Sequence, residues 1–324
     1  MGARKILIAC ASATWLAALT SCTALPDTSG YTAASYQLNS STVAAGKAVE
    51  SEFDRMTLLL PPDRRVEAQN QKGRFTAAWA TTTKSMGGLA RYAESIQELT
   101  DAGNKGREGA RGVAASLSSL ADAVGILPGA GVVGLATDTF ALVNTAIANA
   151  RAASSLKRSL AAADPLIADI AVAVDGQVDT ARAQFDAALQ IQRGTLDFAV
   201  QDILPLDERL ALQERPVEVA LARATDANRE AERHVAAANL ERIRLGRAAL
   251  APRMTAYHQA LDALDEREQA GHDLFDATEK ALAAWRESHS NVVRALEERK
   301  PVSFASLMAA SEEIKELSRR WREL

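Results

Sequence analysis

The sequence feature that most constrains the fold is an unbroken heptad pattern in the last third of the chain. Between residues 254 and 296, mostly apolar residues recur at alternating steps of three and four. These positions are Met254, Tyr257, Leu261, Leu264, Glu268, Gly271, Phe275, Thr278, Leu282, Trp285, His289, Val292 and Leu296. A spacing of 3.5 residues sustained over this distance is typical of a long helix that packs along other helices. The pattern therefore predicts a helix with a coiled-coil-like seam after Pro252.

Shorter stripes with the same spacing occupy much of the remaining chain, and prolines stand between them. The stripes are Val49, Phe53, Met56 and Leu60; Phe75, Trp79, Thr82, Met86, Leu89, Ala93 and Ile96; Ile167, Ile170, Val174, Ala181 and Phe185; and Leu307, Ile314, Leu317, Trp321 and Leu324. No segment shows a convincing strand-like alternation, and aromatic residues make up only 5% of the chain. We expect an all-α fold, an elongated bundle of about six to eight helices.

The helix expected before the long seam carries a thinner stripe. Its members are Leu221, Ala224, Ala231, Val235 and Ala238. A turn at residues 246–252, between Gly246 and Pro252, would join it to the seam helix as an antiparallel hairpin. The expected organisation is a helical bundle over 42–205, a long coiled-coil hairpin over 206–300 and a C-terminal helix over 301–324.

The first residues are typical of an export signal. Arg4 and Lys5 precede an uncharged run over residues 6–19. As a helix this run would extend about 21 Å, which is too short to span a bilayer comfortably. The run is followed by the tetrapeptide Leu19-Thr20-Ser21-Cys22. Residues 1–21 are thus predicted to be a signal peptide.

The tetrapeptide resembles the lipobox of bacterial lipoproteins. This resemblance implies cleavage before Cys22 and acylation of that cysteine, so that lipid such as palmitate anchors the chain. In the family an Asp after the cysteine favours the inner membrane, so Thr23 implies the outer membrane and a periplasmic body. An ordinary signal with a chance cysteine is the alternative. Residues 22–41, rich in Ser, Thr and Ala, are expected to form a flexible tether.

A second apolar segment covers residues 113–150, where Asp122 and Asp138 are the only charges. It predicts a glycine-containing helical hairpin that is either buried in the bundle or able to enter a membrane. In outline the second possibility resembles helical pore-forming toxins. The candidate membrane-contact residues are Val113, Leu117, Leu127, Pro128, Gly129, Gly131, Phe140 and Val143.

Motifs for catalysis are not evident in the sequence. The four histidines, His234, His258, His272 and His289, form no H-E-x-x-H motif, and there is no nucleophile elbow or phosphate loop. Glu268, His272 and Asp276 stand four apart, a spacing that suits ion pairing along one helix better than a metal site. His289 lies on the seam and is expected to be buried. We therefore expect no enzyme, cofactor, metal or small-molecule substrate.

The formal net charge of −4 and a pI near 5.7 argue against nucleic-acid binding by bulk charge. The sequence favours a non-catalytic envelope lipoprotein, a lipid-anchored helical scaffold that binds a protein partner or itself through its coiled-coil helices. The alternative is a membrane-perturbing protein that inserts the 113–150 hairpin.

Overall fold

A computed structural model describes residues 27–101, 112–113, 115–116, 119–120, 153–226, 229–298 and 300–324. Its helices are α1 (Ser29–Leu59), α2 (Pro62–Asp101), α3 (Ala153–Val200), α4 (Leu204–Asp226), α5 (Glu230–Glu298) and α6 (Ala305–Glu323). No strand occurs among these described residues, so the prediction of an all-α bundle is confirmed.

The main core lies where the C-terminal half of α5 meets α1, α3 and α6, with α2 packed against α1. Helix α1 runs antiparallel to this half of α5. Near its start Tyr31 stacks on Trp285 with ring centroids 5.5 Å apart. Near its end Glu52 pairs with Arg267 at 3.2 Å. At a rise of about 1.5 Å per residue, Trp285 lies about 80 Å along α5 from its first residue, Glu230. The start of α1 and the start of α5 are therefore at opposite ends of the molecule.

The apolar stripes predicted the buried faces of these helices correctly. Along α5, the seam positions Leu264, Gly271, Phe275, Thr278, Leu282, Trp285, His289 and Val292 are buried. The stripes of α1, α2, α3 and α6 also supply most of the main core. Burial of such side chains contributes about 1.5–3 kcal/mol each to folding, which makes this region the main source of stability.

The prediction of a flexible tether over 22–41 is wrong for residues 29–41, which form the first turns of α1. Tyr31 and Leu38 are fully buried there. The small polar residues between them bond to backbone carbonyls: the Ser35 hydroxyl donates to Tyr31 at 2.7 Å and the Thr32 hydroxyl to Ala93 of α2 at 3.0 Å. Compact hydroxyl side chains with such bonds let a helix pack closely, so a Ser- and Thr-rich composition did not indicate a linker here.

The predicted turn at 246–252 is also wrong. Helix α5 continues through Gly246 and Pro252, and the turn between the two antiparallel helices lies between Asp226 and Glu230. Pro252 is exposed, as are the prolines inside α3 and α4. The carbonyl freed by a proline on an exposed face can bond to water, so helices tolerate proline there. The 206–300 unit is therefore divided, its C-terminal half belonging to the bundle.

Two glycines allow helices to approach closely within the bundle. A Cβ added at Gly271 would lie 2.3 Å from Cζ of Phe185, and one at Gly46 would lie 2.1 Å from the Trp79 ring. Both rings are buried. The aromatic rings thus occupy the space that any larger residue at these positions would need.

Candidate protein-binding surface

The feature most suited to binding is the projecting hairpin, which we define as residues 204–226 and 230–250. It consists of α4 and the first turns of α5. Within the described chain, α5 is the only helix against which α4 packs extensively. The base of the hairpin is held by a small separate apolar cluster of Val200, Ile203 and Met254. Beyond this base the hairpin leaves the bundle core, so it depends on contacts between its own two helices.

These contacts form a thin seam. Less exposed positions recur at steps of three and four along both helices: Leu210, Glu214, Val217, Leu221 and Ala224 in α4, and Arg233, Ala236, Leu240, Ile243 and Arg247 in α5. Of the α4 residues only Ala224 is fully buried. The predicted stripe fails after Ala224, because the turn resets the helical register and leaves Ala231, Val235 and Ala238 exposed.

One side of the hairpin is closed by ion pairs. Arg244 reaches Glu214 at 3.0 Å and Glu218 at 2.5 Å, while Arg247 reaches Glu214 at 2.6 Å and Asp207 at 3.4 Å. Hydrogen bonds from Arg247 and Arg244 hold the pKa of the Glu214 carboxyl below its ordinary value. The polar groups on this side therefore already have partners within the chain.

The opposite side is an apolar groove between the two helices. Two adjoining hollows of about 410 and 450 Å³ share Val217 and Asn239. Other apolar residues that line them are Leu210, Leu212, Pro216, Ala220, Ala231, Val235, Ala236 and Ile243. Leu212 and Val235 are 76% and 63% exposed, and the polar residues Gln213, Glu232 and Arg242 also line the groove. A groove of this kind, apolar and flanked by two helices, suits the apolar face of another helix.

Sequence analysis missed the α4 half of this apolar groove. Leu212, Pro216 and Ala220 line the groove, are exposed and stand four residues apart, so they share one face of α4. Their positions fall outside the seam of that helix. A second apolar stripe offset from the first was the signal that could have revealed the groove.

A network of hydrogen-bonded polar side chains crosses the bundle core. The Tyr92 hydroxyl lies 2.8 Å from Nε2 of His289, and Nδ1 of the same ring lies 2.8 Å from the Asp164 carboxylate. Ser290 donates to the same carboxylate at 2.9 Å. Bonds from His289 and Ser290 lower the pKa of Asp164, whereas burial raises that of Tyr92 well above its usual value. Tyr92 and His289 are fully buried, as was predicted for His289. This hydrogen-bond network therefore fixes the packing of α2, α3 and α5.

A second polar cluster surrounds Glu52, whose side chain is fully buried. It accepts a hydrogen bond from Gln192 at 2.9 Å and pairs with Arg55 and Arg267. Burial lowers the pKa of the Arg267 guanidinium. The cluster therefore places Glu52 and its arginine partners among α1, α3 and α5. Removal of either kind of group would leave a charge in this region without its partner.

Glu268, His272 and Asp276 form a row on α5 and pair with side chains of a different helix. The predicted ion pairing along α5 itself is wrong, because each member of the row faces α3. The pairs are Glu268 with Arg193 at 2.9 Å, His272 with Asp186 at 2.7 Å and Asp276 with Arg182 at 2.7 Å. In the described part of the chain, no group of three or more His, Cys, Asp or Glu side chains could hold a metal ion. These three pairs therefore connect α3 to α5.

Most of the predicted membrane and lipid residues lie outside the described residues. These are Cys22, Leu117, Leu127, Pro128, Gly129, Gly131, Phe140 and Val143. Val113 is described and is 1% exposed in the main core, together with Leu120. None of the helices in the described ranges is both long enough and apolar enough to cross a membrane.

The chain was compared with protein-family models, with curated proteins and with solved structures. None of these comparisons finds a match for this chain.

Proposed function

We propose that this protein is a non-catalytic, lipid-anchored scaffold of the bacterial envelope that binds another protein chain through the projecting hairpin. The observation that carries the proposal is the one-sided surface of that hairpin. Its ion pairs are satisfied on one side, whereas Leu212 and Val235 remain largely exposed in the apolar groove on the other. Exposed apolar grooves bordered by polar residues commonly mark interaction sites.

The position of the N-terminus relative to the hairpin supports an anchored scaffold. The anchor proposed at Cys22 precedes α1 by only a few residues. Helix α1 begins beside Phe304 and Met308, at the opposite end from the hairpin tip near Glu230. A lipid on the N-terminal side would therefore leave the projecting hairpin at the end away from the anchored end of α1.

The buried polar clusters support a structural role more than a catalytic one. Tyr92, His289 and Glu52 have a relative exposure of 0%. A catalytic group must come within hydrogen-bond reach of its substrate, and these groups contact only the protein interior. Each of the two clusters joins three helices, so together they hold the scaffold in one packing arrangement.

The anchoring part of the proposal is tested by Cys22→Ser in cells fed a clickable fatty acid. We expect the native chain to take up the label and to fractionate with membranes. The Cys22→Ser protein should lose the label completely and keep its uncleaved signal peptide. The matched control is Cys10→Ser, which should be labelled normally because that cysteine lies within the signal. Full labelling of Cys22→Ser would overturn the lipid anchor.

The scaffold part is tested by photo-crosslinking in the same cells. A photoreactive amino acid at Leu212 should give one defined protein adduct, identified by mass spectrometry. The same amino acid at Ala211, which is exposed on the same helix but does not line the groove, provides the control. Equal, diffuse labelling from both positions would contradict a specific binding surface.

A further inference from the structure

The chain enters the described fold at a fixed point on one end of the bundle. Thr28 is fully buried, and its hydroxyl lies 3.0 Å from the hydroxyl of Thr100, the second-last residue of α2. The Asp27 carboxylate accepts a hydrogen bond from the backbone N–H of Ser29 at 2.9 Å. From Asp27 onward the path of the chain is therefore set by the bundle.

Three helices reach the same end of the bundle together. Tyr92, Asp164 and His289 belong to one hydrogen-bond network, so they mark one level of α2, α3 and α5. From this level α2 and α5 each continue nine residues to their C-terminal ends, and α3 begins eleven residues before Asp164. At about 1.5 Å per residue, these helices extend about 14–17 Å beyond the network. We define these three helix ends and the α5–α6 connection, residues 300–304, as the end face.

The tether between the proposed lipid and the end face is short. Cys22 precedes Asp27 by five residues. A fully extended chain gains at most about 3.6 Å per residue, so this tether spans no more than about 18 Å. An acylated cysteine lies at the membrane surface, and the end face therefore stays close to the lipid headgroups.

The sides of the bundle are less suited to lie against lipid than its end. They carry ion pairs between helices, such as Glu268 with Arg193 at 2.9 Å. Placing such groups against lipid would remove their hydration without burying much apolar surface. At the end face, the α5–α6 connection instead presents exposed Pro301 and half-buried Val302. The end face can therefore approach the membrane at a lower cost in hydration.

We infer that the end face docks end-on against the phospholipid headgroups of the membrane that holds the lipid anchor. This inference rests on the proposed function, because the lipid on Cys22 supplies the attachment. Helix α5 then stands away from the membrane. The apolar groove, which includes Asn239, lies about 90 Å along this helix from Glu298. The scaffold thus presents its groove far from the membrane in which it is anchored.

The orientation is tested by fluorescence quenching of the full lipidated protein, purified from membranes in a mild detergent and returned to vesicles. Lys300 and Arg229 flank the two ends of α5, both are exposed, and each pairs with one nearby glutamate. Lys300→Cys and Arg229→Cys are therefore matched sites for a thiol-reactive fluorophore. The vesicles contain phosphatidylcholine and phosphatidylglycerol, part of it carrying a nitroxide in the headgroup. We expect several-fold stronger quenching at Lys300→Cys, and the native chain treated with the same fluorophore gives the background.

Lengthening the tether tests the cause of the docking. Insertion of about 20 Gly and Ser residues after Ala24 adds a flexible segment with a mean span of about 25 Å. The insertion leaves Cys22 and the tetrapeptide before it unchanged, so lipidation should be unaffected. We expect quenching at Lys300→Cys to fall several-fold. Unchanged quenching would show that the short tether does not hold the end face at the membrane.

Two further results would overturn end-on docking and leave the proposed function in place, because the lipidated protein is present on the vesicles in both. Equal quenching at the two sites, strong or weak, would mean that the molecule lies flat or that its end face stands clear of the headgroups. Stronger quenching at Arg229→Cys would place the hairpin tip at the membrane. A chain that lacks acylation at Cys22 would instead contradict the anchor itself, and end-on docking with it.

Discussion

The bundle and the projecting hairpin share the helix α5, yet they are held together in different ways. In the bundle, α5 buries a wide face that includes Leu274, Phe275 and Trp285. In the hairpin it buries little beyond Ala236, Leu240 and Ile243, and ion pairs supply much of the remaining contact. Surface ion pairs add little stability. The hairpin is therefore ordered mainly because α5 is continuous with the bundle, and it leaves apolar surface exposed.

This difference predicts that removing a carboxylate has its largest effect in the bundle. Glu52→Ala removes a fully buried carboxylate and leaves the half-buried Arg267 without its acidic partner, so it should lower the free energy of unfolding by about 3 kcal/mol. Glu214→Ala, the matched change in the hairpin, should alter it far less because its arginine partners are solvated. Urea unfolding followed by circular dichroism measures both. Similar losses from the two variants would show that the hairpin contributes to stability as strongly as the bundle.

Glutamine at position 52 refines the same measurement. Glu52→Gln keeps the shape and part of the hydrogen bonding but removes the charge that compensates Arg267. We expect Glu52→Gln to lower the free energy of unfolding by less than Glu52→Ala does. A loss equal to that of Glu52→Ala would assign the whole effect to charge.

A glycine-to-alanine substitution in each region should change the free energy of unfolding in opposite directions. Gly271→Ala would bring a Cβ to 2.3 Å from the buried Phe185 ring and should cost about 1–3 kcal/mol. At Gly246→Ala the nearest atom is a terminal methyl of Leu210 at 3.2 Å, on a side chain that can move. Alanine favours helix over glycine by about 1 kcal/mol, so this variant should be neutral or more stable. Thermal unfolding distinguishes the two, and destabilisation by both would indicate a tightly packed hairpin.

The smallest effect concerns acid sensitivity in the bundle. The folded-state pKa of Asp164 is lowered, so its ionised form stabilises the fold above the unfolded value of 3.8. That stabilisation is lost as the pH falls through the lowered pKa. Asp164→Asn should therefore be less stable than the native protein at neutral pH, and the difference should shrink as the pH falls below about 4. Urea unfolding at several pH values measures this, and a constant difference would contradict the charge-based explanation.

The buried helix faces were predictable because apolar periodicity reflects packing directly. The positions from Leu264 to Val292 lie in the core as their spacing indicates, and His289 is buried among them. The start of α1 was not predictable from composition, because Ser35 and similar residues gain their hydrogen bonds only once the helix exists. Local composition cannot distinguish a polar linker from a small-residue helix that packs closely.

The candidate surface was only partly predictable. Val235 belonged to a stripe in the sequence, but that stripe crossed the turn at 226–230 and gave the residue the wrong role. Gly246 and Pro252 suggested a turn that the structure does not contain. Such residues lower helix propensity by a few kcal/mol at most, and packing on both sides of them can override that preference. Turns within long helical segments are therefore decided by tertiary contacts.

The continuity of α5 has a mechanical consequence. With 69 residues, the helix is about 100 Å long. Because it passes unbroken from the core into the hairpin, it can act as a lever arm whose fulcrum is the bundle. A rocking of about 5° about the hairpin base at Met254 would displace the tip near Glu230 by about 3 Å, because the arm between them is about 36 Å long at about 1.5 Å per residue.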